Sequence, residues 1–149
     1  IKKTKIKSAS FVWKKWGSFN NDILLNLASH DLSMLFDSLG SSLVTQNKIK
    51  ISDDECLLDF NVGDVKVVID IDRRSKNRHK TVMYETSDGL FMWTPGFFAH
   101  DEVEVSTNSP DNLLDIQRDT FLSHVRDDSG YANLDLSKQI LNFIDRIRQ

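Results

Sequence analysis

Between Ile49 and Ile71 the chain alternates. Ile49 and Ile51 stand in one phase against Lys48 and Lys50, and Leu58, Phe60 and Val62 repeat the same two-residue step. Val65, Val67, Ile69 and Ile71 follow, with Lys66, Asp70 and Asp72 in the opposite phase. A period of two buries one face of a strand and leaves the other wet. Val82, Tyr84 and Thr86 form a further short strand, and Ser87-Asp88-Gly89 turns the chain into 90–94. Val103 and Val105 suggest one more, and Ala9, Phe11 and Trp13 alternate near the N-terminus. Asn61-Val62-Gly63-Asp64 has the composition of a hairpin turn.

Three segments follow a helical step instead. Leu24, Ala28, Leu32, Leu35 and Leu39 recur at intervals of three and four and predict a helix over 19–39, started by Ser18 and ended by Gly40. Ser109-Pro110-Asp111 is a helix start signal and predicts a helix to about Val125. Leu136, Ile140, Phe143, Ile144 and Ile147 form the clearest stripe, on a helix opened by Asp135. Strands joined by short turns favour a meander over crossover units. The expected fold is α+β: an antiparallel meander of about 5–7 strands, with an N-terminal helix and two C-terminal helices packed on one face. No linker or repeat divides the chain, so 1–149 is expected to be one domain, with 1–8 as a flexible basic arm.

Composition adds boundaries. With 149 residues, 40% of them hydrophobic and 28% charged, the chain has enough apolar mass for a core. Its one cysteine, Cys56, excludes an internal disulfide and suits a reducing, cytoplasmic setting. No apolar run approaches a membrane span, so no membrane is expected as partner. Phosphate loops, dinucleotide fingerprints, nucleophile elbows and zinc or calcium spacings are missing from the sequence, and neither a metal nor a cofactor is expected. His30, His79, His100 and His124 are scattered, and His30 reads as a packing residue at the edge of a helical stripe.

The net charge of −3 is unevenly spread. Asp53, Asp54, Glu55 and Asp59 form an acidic cluster, and Phe97-Phe98 stands beyond a Pro-Gly turn as an aromatic anchor. Acids and aromatics of this kind suit a protein partner met by charge complementarity. The leading expectation is therefore a small protein-binding module, such as a toxin-immunity protein, antitoxin, adaptor or chaperone, with the question of enzymatic activity left open by the residues. Arg73, Arg74, Lys76, Arg78 and Lys80 put five cations in eight residues at a hairpin tip, and offer nucleic-acid phosphate contact as the alternative.

Asp54, then Asp64-Val65-Lys66 ten residues on, gives that alternative a catalytic form. The pattern resembles the PD-(D/E)xK nucleases, although Asp53 stands where those have proline. The resemblance implies that Asp54 and Asp64 hold Mg2+ or Mn2+ and that Lys66 helps position the attacking water. The chain begins at Ile1, which motivates a third reading, a structural domain of a larger protein.

Overall fold

A computed structural model describes residues 5–15, 22–40, 44–95, 97–101, 103–106 and 132–149. In chain order these are β1 (Ile6–Lys14), a π-helical turn (Leu24–Ala28) running into α1 (Ser29–Leu39), β2 (Val44–Ile51), β3 (Glu55–Val62), β4 (Val65–Asp72), β5 (His79–Thr86), β6 (Gly89–Thr94), β7 (Phe97–His100), β8 (Val103–Ser106) and α2 (Ala132–Ile147). The expected helix over 109–125 lies outside the described residues.

The strands form one sheet in the order β2-β3-β4-β1-β5-β6-β7-β8. β1 lies in the middle, parallel to β4 and antiparallel to β5. This corrects the expected antiparallel meander: the sheet is mixed, and its first strand is central. The reason is burial. Ala9, Phe11 and Trp13 are all under 7% exposed, which a strand at an edge does not achieve. The helical segment after β1 carries the chain over the sheet and lets two hairpins form on one side before β5 returns to the other. Among the described residues, the expected N-terminal helix α1 and the last C-terminal helix α2 pack together over the sheet, and nothing is described of the second expected C-terminal helix.

Register explains the core. One row runs Ile49, Leu58, Ile69, Phe11, Val82, Trp93, Phe98 across seven strands. The next runs Phe60, Val67, Ala9, Tyr84, Phe91, His100. Where these rows cross β3, β4 and β1 they meet Leu32, Leu35 and Phe36 of α1 and Ile140, Phe143 and Ile144 of α2, all in one buried cluster. Phe143 stands 5.0 Å from Phe60 and 5.8 Å from Phe36, ring centre to ring centre. The opposite face of the sheet carries polar residues such as Ser10, Lys14 and Asp70, with both Lys14–Asp70 contacts at 2.8 Å.

Two glycines set hairpins. Gly63, at φ +58°, supplies the left-handed residue of the two-residue turn between Val62 and Val65. Gly89, at φ +129°, opens β6, and a Cβ there would stand 2.3 Å from Asp101 Oδ2. Asp101 uses that carboxylate to accept a hydrogen bond from the Leu90 N–H at 2.7 Å. Gly89→Ala is therefore expected to lose about 1–3 kcal/mol of stability, through backbone strain and displacement of Asp101. Thermal unfolding of the variant checks this, and an unchanged midpoint contradicts it.

Candidate functional site

The helical segment opposite β1 begins on Asp22. Its carboxylate Oδ1 accepts from the Leu24 and Leu25 N–H groups at 2.9 and 3.0 Å, and its Oδ2 takes the Arg148 guanidinium from the end of α2. The first full turn, Leu24–Ala28, is π-helical. Single π turns inside helices recur at functional sites, because one inserted residue re-aims the side chains around it. Here the re-aimed side chain is Asn26, whose Nδ2 is buried with no hydrogen-bond partner among the described residues. Steps of four residues continue from Asn26 to His30 and Met34 along one flank of the helix. His30 is exposed rather than packed at a stripe edge, which corrects the sequence reading of it.

Met34 forms one wall of a cavity of about 340 Å³ on the helix-bearing side of the sheet. The other walls are Lys80, Val82 and Tyr84 of β5, Phe91 and Trp93 of β6, and Phe98 of β7. These are the continuation of the two apolar rows beyond α1. Phe98 stacks on Phe91 at 6.3 Å, and His100 stacks on Phe91 at 4.2 Å and 7°. Flat aromatic walls of this kind bind ring-shaped ligands.

Lys80 is the one charged side chain among these lining residues. Register with Trp13 places it on the apolar face, and its Nζ lies 3.5 Å from the Trp13 ring centre and 4.9 Å from that of Trp93. Behind Trp13 sits Asp31, fully buried, whose Oδ1 accepts from the indole Nε1–H at 2.9 Å. Its other oxygen has no hydrogen-bond partner. Burial pushes the Asp31 carboxyl up to about 7, opposed by the Trp13 hydrogen bond and the Lys80 charge. Burial likewise pushes the Lys80 ammonium down, opposed by the Asp31 charge. Tyr84 is pushed up to about 12 by burial, so its hydroxyl stays protonated.

The residues singled out in the sequence are mostly dispersed. Asp54 and Asp64 stand at opposite ends of the β3–β4 hairpin, roughly 25 Å apart at the rise of a strand. Lys66 lies near the Asp64 end, so the three residues share no metal site. Among the described residues no cluster of His, Cys, Asp and Glu suits a metal ion. Asp54 pairs with Arg74 and Glu55 with Lys50, so these two acids already meet cations of the same chain. Asp53 offers its carbonyl to Arg73 Nη1 at 2.9 Å, and Asp59 accepts from Asn47 Nδ2 at 3.0 Å.

The five-cation tip is also split. Arg73 is 1% exposed and Lys80 is in the cavity wall, leaving Lys76 and Arg78 on the exposed loop beside Arg74. Phe97 and Phe98 face opposite sides of the sheet, and only Phe98 lines the cavity. Cys56 is buried and its thiol is pushed up to about 12, which leaves it unreactive.

No family model matches the chain, and no curated protein is similar to it. Solved structures are. A dehydrogenase (MviM) from Clostridium difficile shares 10% identity at a TM-score of 0.70, over 96% of this chain and 55% of that one. UDP-N-acetylglucosamine 3-dehydrogenase GnnA from Acidithiobacillus ferrooxidans shares 11% at 0.63, over 83% of this chain and 45% of that one. KijD10, a 3-ketoreductase from Actinomadura kijaniata solved with NADP, shares 12% at 0.62, over 92% and 48%. The chain thus spans about half the length of these structures, and at such identity the likeness is one of fold.

That likeness overturns the expected protein-binding module, whether immunity protein, antitoxin, adaptor or chaperone. The nuclease form of the alternative falls on geometry, since Asp54 and Asp64 stand at opposite ends of the β3–β4 hairpin. The expected absence of a cofactor is corrected by the same comparison, one neighbour having been solved with NADP. Among the described residues, no helix is long and apolar enough to cross a membrane.

Proposed function

We propose that this chain is the substrate-side domain of a nicotinamide-nucleotide-dependent oxidoreductase acting on a ring-shaped alcohol or ketone. The observation that carries this reading is the match of 96% of the chain to about half of a dehydrogenase. The described residues do not fit the pyrophosphate of a dinucleotide. Such a group needs free N–H donors at a helix start, and Asp22 already occupies those at Leu24 and Leu25. The nucleotide, which supplies the hydride chemistry, is accordingly assigned to a part of the enzyme outside these residues. What this chain contributes is the aromatic cavity for the ring, with the exposed His30 one helical turn before Met34 of its wall. An imidazole is the side chain most often used to move a proton to or from a reacting oxygen. The buried Cys56 supports a cytoplasmic setting for the enzyme.

The test is nucleotide-dependent redox turnover by the native protein that carries this chain, with cyclic ketones and secondary alcohols as substrates. Consumption of NADH or NADPH is expected, with His30→Ala lowering kcat by roughly 10²-fold or more. A native protein that neither binds nor turns over a nicotinamide nucleotide overturns the reading.

A further inference from the structure

We propose that the face of the sheet turned away from α1 and α2 joins two copies of this chain, related by a two-fold axis along β1. Both described helices pack on the other face. A sheet with one face on a core ordinarily shows polar side chains on the second. Here four apolar side chains stand in the middle of it. Register lines up Val68, Ser10, Met83 and Met92 across β4, β1, β5 and β6, and Val12 follows one step further along β1. Val12, Val68, Met83 and Met92 are each half-buried, so the strip they form stays within reach of a partner. Methionine adapts to the contour it meets and is enriched where proteins join.

The occupant follows from the charges beside the strip. Lys66 of β4 and Glu85 of β5 flank Ser8 of β1 in one row, and both are exposed. Glu85 Oε2 accepts from the Ser8 hydroxyl at 3.2 Å, which draws the carboxylate toward the axis. A two-fold rotation about β1 exchanges the places of β4 and β5. Lys66 of each copy then comes opposite Glu85 of the other, and Val68 comes opposite Met83. Every such contact is made twice, as in any isologous interface. An axis at right angles to the strands, passing between those rows, would instead lay Val68 on Asp70, apolar on charged. Size agrees as well. The six strands from β2 to β6 in the sheet order, about 4.8 Å apart and about 25 Å long, make a face on the order of 700 Å². A standard interface takes roughly 800 Å² from each partner. The aromatic cavity lies on the helix-bearing side, so this pairing does not close it.

The test is sedimentation equilibrium of the native protein that carries this chain, from nanomolar to high micromolar concentration. A dimer is expected, dissociating in the micromolar range or below. Met83→Glu puts a charge into the strip of both copies and is expected to raise the dissociation constant roughly a hundredfold or more. Lys66→Glu and Glu85→Lys change exposed side chains, and each is expected to weaken the dimer roughly tenfold at low salt by setting like charges opposite. The two together in one chain restore unlike charges across the axis and are expected to recover most of the loss. Circular dichroism checks that Met83→Glu folds, and the charge exchange decides the matter if it does not. A dimer that none of the three single substitutions weakens overturns the proposal. A double variant no tighter than the singles overturns it too, because Lys66 and Glu85 then do not meet across β1. A monomer at every concentration also overturns it, and gives the face to another part of the protein or to a different partner.

Discussion

Phe143→Ala is expected to lower the stability of the fold by about 3–5 kcal/mol, the usual cost of removing a buried phenyl ring. The side chain is 1% exposed and touches both other layers of the core. Its ring meets Phe60 of β3 at 5.0 Å, tilted by 43°, and Phe36 of α1 at 5.8 Å, edge to face. Aromatic pairs of this kind add roughly 0.5–1.5 kcal/mol each beyond the area they bury. Ile140, Ile144 and Ile147 share the same cluster, and Arg148 reaches Asp22 at the rim. The vacated space cannot collapse easily, because sheet and helix are both rigid beside it. Against a typical total of about 5–15 kcal/mol, such a loss moves the urea midpoint by a large fraction of its value. Phe143→Leu, which keeps most of the volume, is expected to lose much less. A loss under about 1 kcal/mol for Phe143→Ala means that α2 is not a structural part of this core.

The elements of this fold are more legible in the sequence than their arrangement. Alternation from Leu58 to Ile71 marks β3 and β4, and the stripe Leu136–Ile147 marks α2, because period reports directly which face is buried. The position of β1 is not written in any period. Ala9, Phe11 and Trp13 alternate whether the strand is central or at an edge. The rule that neighbours in sequence pair in space then favours the meander that the structure corrects. Deciding against it needs the pairing of β1 along both edges, with β4 and with β5, which is a tertiary quantity.

The site was legible only in part, for a similar reason. Lys80 reads as one of five cations in a loop, yet it keeps phase with Val82 and Tyr84, so its ammonium must lie on the apolar face of β5. Phase outranks local charge once the strand is known to begin at His79. Asn26 and His30 are four apart on a helix, a spacing that brings two polar side chains to one flank. In the sequence that signal competes with the apolar stripe beside it, and the π turn that distinguishes it leaves no mark in composition. Asp54, Asp64 and Lys66 mislead because the motif counts residues, whereas the β3–β4 hairpin converts ten residues into the full length of a strand.

Asp31 is expected to make stability fall as pH rises from 4 to 7, and Asp31→Asn to remove that fall. An aspartate in the unfolded chain ionises at its ordinary value of 3.8, whereas burial holds the folded carboxyl protonated up to about 7. Below pH 4 the group is neutral in both states and favours neither. Between pH 4 and 7 the unfolded chain releases the proton and the folded chain keeps it, so each added unit favours unfolding by about 1.4 kcal/mol. Above pH 7 both states are ionised and the loss, about 4 kcal/mol in all, is complete. Asparagine keeps an oxygen for the Trp13 N–H, which donates at 2.9 Å, and carries no charge to desolvate. The difference in unfolding free energy between Asp31→Asn and the parent, measured in urea at half-unit steps from pH 4 to 8, is therefore expected to widen up to pH 7 and then stay level. Using the difference cancels the titration of every other acid. A flat difference means that the folded carboxyl ionises as easily as the unfolded one, and that Lys80 sits above an indole backed by a full negative charge already at pH 5.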